Sequence, residues 1–430
     1  MALFDHLPGN MSGRQKDDLH CAANQEQTHS LLLNTAKMSD DDFISLFPSL
    51  ESHPFLEHVY YYKKEECEFG KISYFDLGVY SIQDSSAMLP PFILSPKKGE
   101  VVLDLCAAPG GKSVFMSLSS AQEALIVAND ISFSRAKDLS SNIERMGLGN
   151  VIVSNDDFSA KCFELEGYFD AIMLDVPCSG GALMRKNAQA KEEWSEAKMN
   201  RCLAMQKSLL EQAYVMLKKG GRMVYSTCSF CVEEDEEVLA SFLTSHNDMK
   251  AKPVEERNGY FHGEIIKEAV YLFPSLYKGE GQFFCLLEKE GDEKTPERKK
   301  NQEKEYQEIL SFFGLDKRSA NSSKDVLWSL PFSVSLPCLH LLREGLKVAS
   351  FPSLEPDHAL SHYLGKDALI ELSKEQALSY LRGETFPLSL PNGFYAAGYQ
   401  GIGLGFFKMA GGKMKNHLPK GLRKSKPIIP

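Results

Sequence analysis

The chain has 430 residues, of which 43% are hydrophobic and 25% are charged. This length allows two or three domains, and the composition is that of an ordinary globular protein. The sequence contains no apolar run long enough to span a bilayer and no basic-then-apolar N-terminal signal, so we expect no membrane segment. The ten cysteines are scattered and form no small disulfide framework, which favours a reducing, cytoplasmic location over secretion.

The net charge of −10 argues against a uniformly basic protein that binds nucleic acid over its whole surface. Residues 408–426 are an exception, because they contain seven basic side chains and no acidic one. Such a segment is either a solvated, partly disordered tail or a surface that contacts phosphate groups. The second interpretation predicts an acidic protein with one basic face for nucleic acid.

Taken in chain order, the first part of the sequence predicts a strand over 30–34 and a helix over 40–46, for which Ser39 is the N-cap. From residue 101 onward, short apolar runs alternate with segments of helical periodicity. The apolar runs predict strands over 101–105, 125–130, 151–154, 169–174 and 222–226. The helical segments are 135–146, ending at Gly147, and 200–219, ending at Gly220 and Gly221. This alternation predicts an α/β fold with a parallel, doubly wound sheet.

The remaining sequence predicts two further parts. A closing strand pair over 270–272 and 282–287 precedes a Lys- and Glu-rich stretch over 288–305, which indicates a solvated linker or an exposed helix. Beyond residue 325, short apolar segments broken by Pro and Gly predict a small β-rich domain with strands over 332–336, 346–348 and 393–404. The predicted division is an N-terminal region (1–75), an α/β domain (76–290), a linker (291–324) and a C-terminal domain (325–430).

A glycine-rich turn follows the first strand of the predicted sheet. It consists of Cys106, Ala107, Ala108, Pro109, Gly110, Gly111 and Lys112. Its glycines let the backbone approach a ligand closely, while its spacing disfavours a dinucleotide or ATP. The next three strands are followed by acids at the edge where open α/β sheets bind ligands, namely Asp130, Asp157 and Asp175. These acids suit a cationic ligand that carries adenosine, such as S-adenosylmethionine; alternatively, Asp130 or Asp157 only caps the following helix.

Two cysteines lie at the same edge in polar, turn-like surroundings. Cys178 stands in Pro-Cys-Ser-Gly after the fourth strand, and Cys228 stands in Ser-Thr-Cys-Ser after the fifth. A thiolate that adds to carbon 6 of a pyrimidine makes carbon 5 nucleophilic enough to take a methyl group. Thiols beside a methyl donor therefore predict methylation at pyrimidine carbon 5, with Asp175 facing the base. The residues by themselves do not rank Cys228 above Cys178.

The alternative is that both thiols are buried, inert side chains, as most free cysteines are. Cys228 and Cys231 also form a Cys-x-x-Cys pair, a pattern found in redox and zinc sites. Since no second pair has the spacing of a metal site, the sequence predicts no bound metal.

Several segments closely resemble the Sun/Fmu family of RNA cytosine-5 methyltransferases across residues 30–290. They are Gln-Asp-Ser-Ser (83–86), the stretch that contains the glycine-rich turn (104–112), Asp-Val-Pro-Cys-Ser-Gly (175–180) and Tyr-Ser-Thr-Cys-Ser (225–229). Leu-Asn-Thr (33–35) and Gly-Glu-Gly-Gln-Phe-Phe (279–284) extend the match. The segments Gly-Leu-Gly (403–405) and Leu-Pro-Lys-Gly-Leu-Arg (418–423) resemble the RsmF type, whose members carry a PUA-like RNA-binding domain and act on bacterial 16S ribosomal RNA.

This resemblance implies a Rossmann-like sheet of an S-adenosylmethionine-dependent methyltransferase, preceded by a small α+β region and followed by a PUA-like domain. It implies that Cys228 is the nucleophile, that Cys178 assists product release, and that Asp175 contacts the target cytosine and the methyl donor. The donor is expected to contact residues 106–112, Asp130, Arg135, Asp157 and Asp175. RNA is expected to contact Lys186, Lys415, Lys420 and Arg423. The implied partner of this monomeric, cytoplasmic protein is 16S ribosomal RNA or the small ribosomal subunit.

Two other classes of protein remain open. One is a methyltransferase for a protein or small molecule, whose activity would survive the change Cys228→Ala. The other is a non-catalytic RNA-binding assembly factor that acts through residues 408–426. If RNA binding and donor binding are divided between domains, truncation after Glu288 is expected to weaken the first and spare the second.

Overall fold

The computed structural model describes residues 6–180, 195–292 and 304–430. Its N-terminal part is a four-stranded antiparallel sheet in the order β2-β3-β1-β4. The strands are β1 (His29–Leu33), β2 (Glu51–Ser52), β3 (Val59–Tyr62) and β4 (Tyr80–Ile82). The helices are α1 (Gly13–Ala22), α2 (Asp40–Leu46) and α3 (Ser73–Asp76). Ser39 caps α2 by accepting a hydrogen bond from the backbone N–H of Asp42, which confirms the predicted helix and its cap.

The centre of the molecule is a ten-stranded sheet. Nine strands follow the order β11-β12-β13-β9-β8-β5-β6-β7-β16, and β10 pairs with β13. The strands are β5 (Val101–Asp104), β6 (Leu125–Asn129), β7 (Val151–Ser154), β8 (Phe169–Asp175), β9 (Leu217–Thr227), β10 (Met249–Lys252), β11 (Phe261–His262), β12 (Val270–Leu272), β13 (Gln282–Lys289) and β16 (Leu341–Glu344). Strands β5 to β9 are parallel neighbours, which confirms the predicted doubly wound α/β sheet.

Helices cover both faces of this sheet, and the inner strands are apolar along their length because both of their faces are buried. The helices are α4 (Ser85–Leu94), α5 (Gly111–Ser119), α6 (Phe133–Met146), α7 (Phe158–Lys161), α8 (Glu196–Met216) and α9 (Val238–Ser245). Strands β5, β6 and β7 run outward in one direction, and β8 then returns to the other side of β5. The resulting crevice at the carboxyl ends of β5 and β8 is where such sheets bind ligands.

One helix boundary differs from its prediction. The helix expected over 200–219 runs from Glu196 to Met216, and β9 starts at Leu217. The two glycines lie inside the strand, where the register against β8 shifts so that Leu217 pairs with Phe169 and Arg222 pairs with Ala171. Gly220 has a φ of +76°, so these glycines accommodate an irregularity in the strand instead of ending a helix.

The C-terminal part contains two four-stranded sheets. The first is β14 (Ser319–Ser323), β15 (Val326–Leu330), β17 (Leu346–Ser350) and β18 (Glu355–Pro356). The second is β19 (Leu369–Glu371), β20 (Gly393–Tyr399), β21 (Ile402–Ala410) and β22 (Lys413–Asn416). The helices are α10 (Lys304–Phe312), α11 (His358–Tyr363) and α12 (Lys374–Arg382).

Two predictions for this part were wrong. Residues 332–336 form no strand; they are apolar because Phe332 and Leu336 pack into the core of the central sheet. The stretch predicted as a linker, 291–324, contains α10 and β14, since Leu310 and Ala320 are buried in the core of the first C-terminal sheet. Regular structure therefore begins before the predicted start of the C-terminal domain at residue 325.

The C-terminal part is joined to the rest of the molecule at several places. Strand β16 extends the central sheet by pairing with β7. The guanidinium of Arg318 donates hydrogen bonds to the carbonyl oxygen of Gly149 and to the hydroxyl of Tyr363. The N-terminal sheet and the second C-terminal sheet share one hydrophobic core. Truncation after Glu288 would therefore remove an edge strand and expose buried surface, so point substitutions are the cleaner test of RNA binding. No helix in the described part of the chain is long and apolar enough to cross a membrane.

Candidate active site

A cavity of about 450 Å³ lies outside the carboxyl ends of β5 and β8. The glycine-rich turn, Asp175 and Cys228 all line it. The sheet therefore brings together the turn, the acid and the thiol that lie far apart in the sequence, as the order of the strands predicts.

The glycine-rich turn is held from both sides. Gly110 has a φ of +108°, a backbone conformation that glycine adopts without strain, and it forms the N-cap of α5. The backbone N–H of Ala107 donates to the carbonyl oxygen of Asn129 at 2.7 Å. Arg135 donates to the carbonyl oxygen of Ala108 at 2.7 Å, and a Cβ on Gly111 would lie 2.8 Å from Gln83. The turn is thus a fixed backbone wall of the cavity.

The residues of the cavity fit S-adenosylmethionine. Asp104, at the end of β5, is fully buried and lines the cavity. Ser113 donates to one of its carboxyl oxygens at 2.6 Å, and the other oxygen has no hydrogen-bond partner. Burial raises the pKa of this carboxyl to about 7. A carboxyl group in the cavity wall with one hydrogen-bonding position still open suits a ligand that carries donors or a positive charge. Asp104 was not among the site residues predicted from the sequence.

Two predicted donor-binding acids lie elsewhere. Asp130 is buried; it accepts a hydrogen bond from the backbone N–H of Ser132 and pairs with Arg135 at 3.3 Å. Asp157 is exposed and is the N-cap of α7, where it accepts from the backbone N–H of Ser159. This hydrogen bond lowers the pKa of Asp157. Neither acid lines the cavity, so for Asp157 the structure favours the helix-capping alternative over a donor contact.

The two thiols are in contact. The Sγ atoms of Cys178 and Cys228 lie 3.0 Å apart. The hydrogen bond from Cys178 lowers the pKa of Cys228, with a further lowering from Lys112. The same hydrogen bond and burial raise the pKa of Cys178 well above the usual value. The contact itself is symmetric, since either thiol can donate; what distinguishes Cys228 is that it lines the cavity together with the positively charged Lys112, which favours Cys228 as the thiolate.

Asp175 connects the turn to the strand that precedes Cys228. Its carboxylate accepts hydrogen bonds from Lys112 at 2.7 Å, from Ser226 at 2.6 Å and from Gln282 at 3.0 Å. Burial is the largest influence on the pKa of Lys112 and lowers it, but the charge and hydrogen bond of Asp175, together with the charges of Asp104 and Cys228, outweigh it and the net shift is upward. Lys112 therefore keeps a positive charge close to Cys228. Sequence reasoning found Gln282 only as part of a resembling motif and gave it no role.

Sequence reasoning also missed a buried acidic turn behind the thiols. Residues Glu233–Glu237 form a short π-helical segment in which Glu234, Asp235 and Glu236 are fully buried. The signal in the sequence was the run of five consecutive acids shortly after the second cysteine motif. Charged side chains are rarely buried without partners, so acids buried at this place have specific contacts. Cys231 is also buried, beside Met199. Within the described residues, no group of three or more metal-ligating side chains is present.

Among the predicted RNA contacts, Lys415 lies on β22, whereas Lys420 and Arg423 lie in and just after the 3-10 turn that follows it. Lys415, Lys420 and Arg423 are exposed, whereas Lys186 lies outside the described part of the chain. Lys424 pairs with Asp76 of the N-terminal region at 3.0 Å. The C-terminal segment is therefore packed against the protein, which argues against the interpretation of a disordered tail.

A Rossmann-like sheet with this crevice and turn defines the class of S-adenosylmethionine-dependent methyltransferases. Residues 91–288 match the model of a family described as 16S rRNA methyltransferase RsmB/F, and residues 368–424 match the methyltransferase RsmF PUA domain. Ribosomal RNA small subunit methyltransferase F of Shewanella loihica is 30% identical over 92% of this chain and 89% of that protein. The corresponding protein of Shewanella piezotolerans is 31% identical over 92% of this chain and 91% of that protein.

A solved structure of a methyltransferase homologue has a similar fold. A methyltransferase homologue from Pyrococcus horikoshii superimposes with a TM-score of 0.57 and 27% identity, covering 67% of this chain and 93% of that chain. The chain belongs to the RsmB/F family of 16S rRNA methyltransferases, with an RsmF-type PUA domain. S-adenosylmethionine is accordingly its methyl donor.

Proposed function

We propose that this protein methylates carbon 5 of a cytosine in 16S ribosomal RNA, through a covalent bond between Cys228 and carbon 6 of the base. The observation that carries the proposal is the contact between the two thiols beside the donor cavity, with a lowered pKa at Cys228. A pyrimidine carbon 5 needs such a nucleophile, whereas methylation of a nitrogen or oxygen atom does not.

The roles of the residues follow from their positions. The thiolate of Cys228 adds to carbon 6, while Asp175, at the cavity wall, can accept a hydrogen bond from the exocyclic amino group of the cytosine. Lys112 holds Asp175 in place. Bound S-adenosylmethionine supplies the electrophilic methyl group, for which Asp104 and the glycine-rich turn would form the binding wall.

Release requires that a water molecule acting as base takes the proton from carbon 5 and that the bond from carbon 6 to Cys228 breaks. The electron pair of the carbon 5–hydrogen bond restores the double bond, and the Sγ atom of Cys228 departs as a thiolate. Cys178, whose Sγ lies 3.0 Å from that of Cys228, is placed to donate its proton to the departing sulfur. This supports a role for Cys178 in product release.

The proposed substrate rests on the family and on the C-terminal surface. Relatives across nearly the whole chain are ribosomal RNA small subunit methyltransferases F. The matched PUA domain carries exposed Lys415 and Lys420, which can contact RNA phosphates. We propose further that the protein works as a monomer in the cytoplasm, on 16S ribosomal RNA alone or in the small subunit.

The test is methylation with purified protein and S-adenosylmethionine. The substrates are free 16S ribosomal RNA, isolated small subunits and, as a control, transfer RNA, and nucleosides are identified by mass spectrometry after digestion. We expect 5-methylcytidine in one of the two ribosomal substrates. A methylated nucleoside of another kind, or product only in transfer RNA, would contradict the proposal. A purified protein that binds ribosomal RNA but methylates nothing would favour the assembly-factor alternative.

A further inference from the structure

Glu234 lies directly behind the two thiols and contacts both cysteine loops. Its side chain is fully buried on the π-helical segment Glu233–Glu237. One carboxyl oxygen accepts hydrogen bonds from the backbone N–H of Ser179 at 2.8 Å and from the amide of Gln206 at 3.2 Å. The other accepts from the hydroxyl of Ser179 and from the hydroxyl of Ser229 at 2.7 Å.

These partners place Glu234 between the loops. Ser179 is the residue after Cys178, and Ser229 is the residue after Cys228, so one carboxyl group joins the chain beside each thiol. The backbone of Glu234 is itself fixed, because the hydroxyl of Tyr225 donates to its carbonyl oxygen at 2.7 Å. Tyr225 belongs to β9, the strand that ends just before Cys228. The anchor therefore extends from the central sheet through Glu234 to both loops.

The neighbouring acids have other partners. Asp235 accepts a hydrogen bond from the hydroxyl of Thr227 at 2.6 Å. Glu236 accepts from the backbone N–H groups of Ile265 and Ile266 at 2.6 and 2.8 Å. Glu236 is thus used by a distant loop and Asp235 by β9, whereas the carboxyl of Glu234 alone among the three bonds the residue that follows each cysteine.

We propose that Glu234 is a positioning residue that holds the two cysteine loops together, so that Cys178 stays in contact with Cys228 while the methylated base is released. The inference rests on the proposed covalent mechanism. Release needs both thiols at their 3.0 Å separation, whereas addition to carbon 6 needs only Cys228 once it is a thiolate. A misplacement of about 1 Å between reacting groups can cost about 100-fold in rate.

The variant Glu234→Gln tests this role with almost no change in volume. Glutamine offers one acceptor oxygen in place of two, so two of the four donors lose their acceptor. Glu237→Gln is the matched control, because Glu237 lies on the same segment but is exposed. Addition is measured as covalent adduct formation on RNA that carries 5-fluorocytosine, and release is measured as decay of the adduct on RNA with ordinary cytosine.

We expect Glu234→Gln to slow release by about 10-fold or more and to accumulate the adduct on ordinary RNA. Addition should stay within about twofold of wild type when it is measured at about pH 9.5, where Cys228 is a thiolate whether or not Cys178 donates to it. In a Cys178→Ala background, Glu234→Gln should have no further effect on release. Equal slowing of both steps, or the same effect in both backgrounds, would show that Glu234 only stabilises the fold.

Ser179→Ala decides the matter if Glu234→Gln does not fold, since it removes one hydroxyl donor and leaves the carboxyl group. The same imbalance between release and addition is expected, and release at the wild-type rate would overturn the inference. The wild-type protein in each assay distinguishes a failure of the covalent mechanism from a failure of the positioning role. No adduct in wild type refutes the covalent mechanism itself, whereas a wild-type adduct that Glu234→Gln forms and releases normally refutes only the positioning role.

Discussion

The hydrogen bond between the thiols predicts a shift in the pH dependence of covalent addition when Cys178 is changed to alanine. Cys228 reacts as the thiolate, which is populated at pH values above its pKa. The hydrogen bond from Cys178 is the largest cause of the lowered pKa of Cys228. Removing this donor raises the pKa of Cys228, so the acid limb of the rate profile should move to higher pH.

The size of the shift follows from the contact. Hydrogen bonds to charged groups contribute about 1.5–3 kcal/mol, and a thiol is a weak donor, which places this one at the lower end. One pKa unit corresponds to about 1.4 kcal/mol, so the acid limb should move upward by about one unit. The charges that remain near Cys228 are those of Lys112, Asp175 and Glu234, and they are the same in both proteins.

The assay is the initial rate of adduct formation on RNA that carries 5-fluorocytosine, measured from pH 5.5 to pH 9.5. Cys178→Ser is the matched control, because a hydroxyl keeps a donor at this position and should move the acid limb by less than half as much as alanine. Equal acid limbs for wild type and Cys178→Ala would refute the idea that Cys178 sets the pKa of Cys228. Equal shifts for alanine and serine would assign the effect to the sulfur atom and not to the donated hydrogen bond.

Three further predictions concern the donor site, the RNA surface and the joined domains. Gly110→Ala places a side chain on a residue with a φ of +108° and brings its Cβ within 2.7 Å of Leu139. The affinity for S-adenosylmethionine, measured by calorimetry, should therefore fall by an amount that corresponds to about 1–3 kcal/mol of strain. Unchanged affinity would exclude a fixed turn. Lys415→Glu combined with Lys420→Glu should weaken RNA binding and leave the affinity for the methyl donor unchanged. The slope of log binding constant against log salt concentration should fall by about one per lost phosphate contact. An unchanged slope would show that these residues do not contact RNA. Arg318→Met removes the hydrogen bonds that the guanidinium donates to two buried carbonyl oxygens. It should lower the free energy of unfolding by about 1–3 kcal/mol, measured by thermal unfolding. A variant that unfolds at the wild-type midpoint temperature would indicate weakly joined domains.

Much of the central sheet was predictable because its inner strands are buried on both faces. Their sequences are short, continuous apolar runs, such as Val101–Asp104 and Val151–Ser154, and such runs carry a clear signal. Strand Leu341–Glu344 contains two charged residues and is a strand because it pairs with β7, nearly 200 residues earlier in the chain. That pairing is a property of the tertiary structure and leaves no local pattern.

The site residues were predictable where a reactive side chain and the end of a strand fall in the same short motif. Asp175 ends β8, and Cys178 and Cys228 follow the ends of β8 and β9 at the same edge. In the structure the two thiols are in contact, and Asp175 and Cys228 line one cavity. Asp157 also follows a strand, but a helix begins one residue later and uses its carboxylate as a cap. Glu234 could not be assigned, because its role depends on two loops that are 50 residues apart and meet only in the folded protein.

The central claim is the covalent bond between Cys228 and the target cytosine. The most direct measurement incubates ribosomal RNA that carries 5-fluorocytosine with S-adenosylmethionine and wild type, Cys228→Ala or Cys178→Ala, and examines the products on denaturing gels. The account predicts a protein–RNA adduct with wild type and Cys178→Ala and none with Cys228→Ala. An adduct that persists in Cys228→Ala, or methylation by wild type with no adduct on either free RNA or small subunits, would contradict it.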